Sequence, residues 1–379
     1  MKYDVEDRFF PHYADTEVGP TLAPLSSSPA ITRRVALVGC FRPRRCGIAT
    51  YTADIYDHLT REHPDIGIDV YALRANPADP SDADVAALVD ADDPASYRSA
   101  AAAINRSGVD VVWIQHEFGI FGGPAGAMLL ELVERIAAPL IVTLHTVLAQ
   151  PSEDQRRVME ALVARASHIM VMSDFGRQLL IDTYGTPAET VTLIEHGTPV
   201  RPFTVRSPLR AELGLGDRPV LSTFGLLGPG KGLETAIRAL PAIAARHPDI
   251  LYRIVGATHP NLIAAEGEAY RESLQALAEE LGVGGNIGWD NRFLDTEELL
   301  DQIELCDIYL APYPNLAQVT SGTLSYAVAL GRAVISTPFV HARELLANDV
   351  GLLVPQGDSI AIADAVLQLL ESAEARRAL

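Results

Sequence analysis

The sequence predicts two successive α/β domains, each built on a doubly wound parallel sheet, and three observations predict it. Short continuous apolar runs rich in β-branched residues alternate, from residue 34 onward, with amphipathic stretches of helical length. Runs without polar alternation belong to strands covered on both faces, the environment of a parallel sheet between helices. The rhythm breaks once, where Pro199, Pro202, Pro208, Gly214, Gly216 and Pro219 crowd together, and then restarts. A segment so rich in breakers reads as a linker. Finally, 379 residues suit two domains of ordinary size, and 48% hydrophobic against 21% charged residues can fill two cores.

In the first domain, expected over 34–200, VALVG (35–39) is followed by a helix near 48–62, IDVYAL (68–73), a helix near 94–106 and VDVVWI (109–114). A helix near 124–136 precedes PLIVTL (139–144), one near 152–166 precedes HIMVM (168–172), and one near 173–184 precedes VTLIE (191–195). After a linker at 201–218, the second domain, 219–379, opens on PVLSTF (219–224) and a helix near 232–246. ILYRIV (250–255) leads to a long helix near 264–281, and NIGW (286–289) to a helix near 296–305. DIYLA (307–311), a helix near 322–330, AVIST (333–337) and GLLV (351–354) complete it. Such sheets bind ligands at the carboxyl ends of their strands, so two of them facing each other place the ligand in the cleft between.

Residues 1–33 read as a flexible lead-in. They carry Asp4, Glu6, Asp7 and Asp15 and the Pro/Ser-rich GPTLAPLSSSPA (19–30), with no apolar core of a signal peptide. The net charge of −19 argues against nucleic acid and anionic membrane as partners. No apolar run reaches the ~18 residues of a membrane span. Three cysteines, Cys40, Cys46 and Cys306, are too few for a disulfide framework and fit a reducing, cytoplasmic setting. The pair Cys40/Cys46 is also short of the ligands a zinc site needs, so no metal is expected.

Four segments carry candidate chemistry. GCFRPRRCGIATYTADI (39–55) follows the first strand and opens a helix; Arg42, Arg44 and Arg45 crowd it, and Gly47 and Ile48 start the helix. Free N–H groups at a helix start favour anions, so this loop reads as an acceptor or phosphate site. IQHEFGIFGG (114–123) puts His116 and Glu117 at a strand end, and TLHT (143–146) puts His145 at the next one. Ser173 reads as a helix cap that could also touch a ligand, and His196 closes the last strand. FGLLGPGKGLETAI (224–237) turns on Gly225 and Gly230 into Lys231; it lacks the GK[ST] ending of a P-loop, but a lysine in such a turn suits a pyrophosphate. YPNLAQVTSGTLSYAVALG (313–331) offers Thr320, Ser321, Gly322 and Thr323 at a helix start, a second anion cradle.

Taken together, these strings resemble family-4-type (group 1) glycosyltransferases of the GT-B fold, in which two Rossmann-like domains face across a cleft. GLLGPGKG is similar to that family's G-R-L-x-x-x-K-G turn. FGLLGPGKGLE (224–234), GATHP (256–260), GEAYR (267–271), TSGTLSYA (320–327) and GRAVISTP (331–338) resemble a bacterial subgroup, and the resemblance spans about 35–370. It implies transfer of a mannosyl or glucosyl group from a nucleotide-diphosphate sugar, GDP-mannose or UDP-glucose, to a carbohydrate hydroxyl with retention. It implies donor binding by the second domain, acceptor binding by the first, and no cofactor or metal. Lys231 matches the family lysine, and His116 falls where a functional histidine is expected. The sequence departs at Leu226, where the family has arginine; Arg292 or an arginine of the 42–45 loop is the candidate replacement. The family's Glu-x7-Glu pair falls on Gln318 and Tyr326, and the family's long return helix has no counterpart before Leu379. A glycoside phosphorylase, a sugar-nucleotide epimerase or a non-catalytic glycan-binding module on the same fold are the alternatives.

Overall fold

The computed structural model describes residues 32–75, 82–202 and 209–379, so the lead-in and part of the linker lie outside the described residues. Arg33–Leu379 form one compact unit holding two parallel sheets. The first contains β1 (Arg34–Gly39), β2 (Gly67–Arg74), β3 (Val85–Asp90), β4 (Val111–His116), β5 (Leu140–Leu144), β6 (His168–Val171) and β7 (Val191–Leu193) in the order β3-β2-β1-β4-β5-β6-β7. The second contains β8 (Val220–Phe224), β9 (Leu251–Val255), β10 (Ile287–Asp290), β11 (Ile308–Ala311), β12 (Ala333–Ser336) and β13 (Leu352–Leu353) in the order β10-β9-β8-β11-β12-β13. Each order reverses once, between β1 and β4 in the first sheet and between β8 and β11 in the second. At such a switch point the connections diverge to opposite faces and leave a crevice at the carboxyl edge.

Helices cover both faces. They are α1 (Gly47–Glu62), α2 (Pro94–Ser107), α3 (Leu130–Val133), α4 (Glu153–Arg165) and α5 (Asp174–Tyr184), then α6 (Leu209–Glu212) in the linker. The second domain adds α7 (Leu233–Arg246), α8 (Pro260–Glu266), α9 (Ala269–Glu280), α10 (Thr296–Glu304), α11 (Gly322–Ala329), α12 (Val340–Leu345), α13 (Ser359–Glu371) and α14 (Ala373–Ala378). Local chemistry sets their ends. Ser152 and Gln155 form a capping box on α4, and Asp93 caps α2, which closes on the left-handed Gly108. The central strands are buried between the helices, apolar over Val35, Ala36, Leu37 and Val38 in β1 and over Val220 and Leu221 in β8, with Ser222 and Thr223 buried after them.

Several segments differ from the sequence reading, among them α12, which it did not expect. VAALVD, set between the Asp-rich stretches SDAD and ADD that mask it as a loop, is β3, an edge strand paired in parallel with β2. The helix expected over 264–281 is two, α8 and α9, parted at Gly267, whose φ of 65° leaves the helical region. The helix expected over 124–136 is a 3-10 turn, Pro124–Leu129, with left-handed Ala125 and Gly126, followed by the short α3. The linker contains α6, which Arg210 anchors by donating to Asp307 and to the Gly216 carbonyl.

Candidate active site

The second switch point is polar and positively charged. After β8 the chain turns at Gly225 with φ 120°; a Cβ there would stand 3.2 Å from Lys231 Nζ and 3.3 Å from Thr323 Cγ2. The bare backbone therefore lets a lysine and a helix start converge. Lys231 Nζ donates to the Tyr313 hydroxyl at 3.0 Å, which bonds Thr323 Oγ1 at 2.6 Å, and Ser321 Oγ lies 3.2 Å from the same oxygen. Burial alone would raise the Tyr313 phenol, but the Lys231 ammonium and the hydroxyls around it together outweigh burial and lower it. Ser321 caps α11 by accepting from Leu324 N, and its own N–H donates to His341 Nδ1 at 2.8 Å. Burial pushes His341 down to about 4, so it is the neutral acceptor this bond requires.

The first switch point is aromatic around a buried histidine, with the Glu117 carboxyl beside it. His116, at the end of β4, is fully buried, its ring stacked on Phe121 at 5.9 Å and edge-on to Phe118 at 5.0 Å. Burial pushes it down to about 3, and neither ring nitrogen has a hydrogen-bond partner among the described residues. His145 is likewise pushed by burial to about 3, and its Nε2 lies 3.1 Å from Gln115 Oε1. Glu117 ties the two strand-end loops together: one oxygen accepts from Phe118 N at 2.9 Å and the other from the Thr146 hydroxyl. Burial raises its pKa.

Side chains of the two domains meet between these crevices. Rings of His145, Tyr51, His196 and Tyr326 form a column with successive centroid distances of 5.0, 5.1 and 6.1 Å. His196 Nδ1 is 2.8 Å from the Gly197 carbonyl, so Nδ1 carries the proton and Nε2 is the free acceptor. That Nε2 occupies the place of a Gly322 side chain, 2.7 Å from where a Cβ would be, and so meets the first residue of α11. Tyr326 donates to Asp54 of α1 at 3.4 Å, and Glu344 of α12 accepts from Asp174 N and Phe175 N at the start of α5.

The structure gathers Gly225, Lys231, Ser321, Gly322 and Thr323, while Gly230 is exposed on the turn and the Thr320 hydroxyl is buried without a partner among the described residues. It does not bring Arg292 to this corner: that guanidinium is held at 2.7 Å by both Asp290 and Glu298 on the surface. Arg45 is the arginine that lines a cavity with Leu226. Arg42 is neutralised by Asp57, Asp82 and Asp84, whereas Arg44 keeps one buried guanidinium nitrogen unpartnered. Gly47 has open space where a Cβ would be, and Ile48 packs on the first core. Ser173 is a buried cap whose hydroxyl is committed to Gly176 N, and Gln318 spends its amide on the Thr320 carbonyl. Among the described residues no three or more His, Cys, Asp or Glu side chains are grouped to hold a metal ion.

Two family models cover nearly the whole chain. Glycosyltransferase Family 4 matches residues 45–201, and Glycosyl transferases group 1 matches 205–379. The chain is a glycosyltransferase of the family-4, group 1 type. The transferase is 27% identical over 362 residues to the GDP-mannose-dependent alpha-(1-6)-phosphatidylinositol monomannoside mannosyltransferase of Mycolicibacterium smegmatis, covering 89% of this chain and 88% of that one. It is 30% identical to the D-inositol 3-phosphate glycosyltransferase of Corynebacterium glutamicum, over 69% of this chain and 64% of that one. Its fold matches the crystal structure of Anabaena HepE in complex with UDP with a TM-score of 0.66 at 17% identity, covering 91% of this chain and 92% of that chain. The fold is GT-B.

Sequence reasoning missed several residues of this transferase's cleft. Tyr51 and Asp54 lie on α1 at the right helical face, but nothing in their spacing distinguishes them from surface residues. Tyr313 was legible only as a strand-end aromatic. His341 and Glu344 sit on α12, a six-residue helix without a side-chain cap signal.

Proposed function

We propose that the protein is a retaining, metal-independent mannosyltransferase of the cytosol that moves mannose from GDP-mannose to a hydroxyl of a carbohydrate acceptor. The observation that carries this reading is the convergence of Lys231, Gly225 and the start of α11 at the second switch point, against the aromatic His116 crevice of the first domain. The M. smegmatis relative, similar over nearly its whole length, is named for GDP-mannose. Likeness to HepE supports the fold and carries no choice of base.

The diphosphate lies against Lys231 and the α11 N–H groups. As the bond from the sugar C1 to the phosphate oxygen breaks, negative charge grows on the leaving diphosphate. An ammonium and oriented N–H groups stabilise that charge most where it develops. Lysine supplies a compact point charge, and the hydroxyl chain through Tyr313 and Thr323 fixes where it stands. His196 Nε2 now fills the start of α11, so the phosphate takes over a position the imidazole holds. The acceptor oxygen attacks C1 from the face the phosphate leaves, and its proton passes to the departing phosphate oxygen. GDP-mannose holds its sugar in α linkage and the relative's product is named α, which supports retention. His116, neutral with two idle ring nitrogens, is suited to take a sugar hydroxyl as a hydrogen-bond partner once Phe118 and Phe121 give way.

Lys231→Ala is expected to lower kcat/KM with GDP-mannose by at least ~10²-fold, about 2.7 kcal/mol of transition-state stabilisation. Unchanged mannosyl transfer by that variant would contradict the reading. The Thr323 and Tyr313 hydroxyls remain in place in it, so a loss reports the ammonium.

A further inference from the structure

A cavity of about 330 Å³ lies at the carboxyl ends of β8, β9 and β10. Its walls are mostly apolar: Leu226, Ala257, Pro260, Ile263 and Phe293. Leu226 directly follows Gly225, the residue against which Lys231 Nζ rests, so the cavity adjoins the phosphate corner. A ligand with its diphosphate on Lys231 can therefore lay its other end here.

Two ionised groups line these walls, Arg45 and Glu268. Glu268 Oε2 accepts from the Thr258 hydroxyl and from Arg271 Nε at 3.1 Å. Arg271 is itself buried, donating also to the Gly256 carbonyl at 3.0 Å, to Thr258 Oγ1 at 3.2 Å and to Asn291. These two donors hold the Glu268 carboxyl below the usual carboxylate range. A carboxylate has about four lone-pair sites, and the two donors use those of Oε2. Oε1 makes no hydrogen bond among the described residues and remains for a ligand. Arg45 reaches the same cavity from the first domain.

We propose that this cavity takes the base of the donor nucleotide and that Glu268 selects guanine; this deepens the donor reading above and rests on it. The apolar walls suit the faces of a flat ring. Guanine presents two neighbouring donors, N1–H and the 2-amino group, which match an acceptor oxygen with two open lone pairs. Uracil presents one N–H between two carbonyl oxygens that the carboxylate charge repels. The Thr258–Arg271 clamp is what makes Glu268 a selector: a carboxylate already fixed and ionised loses little freedom on binding the base.

The test is binding of GDP, IDP and UDP, measured by titration calorimetry on the wild-type chain, Glu268→Gln and Lys231→Ala. IDP is guanosine diphosphate without the 2-amino group. One charge-assisted hydrogen bond sets the expected scale: GDP binds ~10-fold more tightly than IDP and ~10²-fold more tightly than UDP. Glu268→Gln brings GDP and IDP within ~3-fold of each other and leaves UDP nearly unchanged. Equal base preference in wild type and Glu268→Gln overturns the proposal, as does wild-type binding of UDP more tightly than GDP. In both of those cases a uniform loss in Lys231→Ala leaves the donor site itself standing. Absence of binding by all three diphosphates would instead overturn the donor reading and this proposal with it. The comparison of GDP with IDP on the wild-type chain needs no variant and is independent of any folding effect of the substitution.

Discussion

The two switch points of this molecule have the same topology and opposite chemistry. At the first, β1 and β4 end in an aromatic crevice whose histidines are held neutral by burial. At the second, β8 and β11 end at a lysine, a chain of hydroxyls and a helix start. A parallel sheet supplies the crevice either way; side chains decide what it holds. The positive edge suits the anionic leaving group, and the neutral edge suits hydroxyl-bearing sugars, which need acceptors and donors but no counter-charge.

The sharpest way to break this comparison is to remove the buried imidazole at the aromatic edge. His116→Leu takes away two buried nitrogens that lack partners, each of which costs ~1–3 kcal/mol of stability while unsatisfied. The variant is expected to melt at the same temperature as wild type or higher while kcat falls by ~10². A variant that loses stability and keeps its turnover would make His116 a packing residue. The same burial gives a pH signature. Folded His116 and His145 bind a proton only near pH 3, whereas an unfolded histidine does so near 6.5. Between those values the unfolded chain holds more protons, so stability is complete above about pH 6.5 and falls as the pH drops towards 3. Melting temperature should begin to fall near pH 6.5, well above the carboxylate range, and fall less steeply in His116→Leu. A flat profile down to pH 4 would contradict the buried, neutral state.

A smaller effect is expected where the domains touch. Glu344 reaches from α12 to the first two N–H groups of α5, with burial raising its pKa. Glu344→Gln keeps a hydrogen-bond acceptor and removes a charge worth ~0.3–1 kcal/mol at a helix start. The expected result is a shift of about 1 °C in melting temperature and a change in kcat of less than ~3-fold. A 10²-fold loss would move Glu344 into the substrate site.

The sequence showed both sheets because parallel strands under helices are written as short apolar runs, a form plainest in β1 and β11. β3 was hidden because its short Val/Leu run lies between Asp-rich flanks and is fixed only by pairing with its neighbour. Lys231 and Ser321–Thr323 were legible because glycine turns and helix starts are local patterns. Their contact was not, since Tyr313 joins them through side chains far apart in the chain. Arg292 misled for the same reason: its type fits a phosphate, yet Asp290 and Glu298 already occupy it. Nor could sequence show that His116 is sealed between Phe118 and Phe121, or that His196 crosses to Gly322.

The division of labour between the two edges is tested most directly by titrating GDP into wild type, Lys231→Ala and His116→Leu. GDP affinity should fall by ~10²-fold in Lys231→Ala, the scale of a charge-assisted phosphate contact, and stay within ~3-fold of wild type in His116→Leu. The opposite ranking, or equal affinity in all three proteins, would contradict the assignment of the nucleotide diphosphate to the second domain.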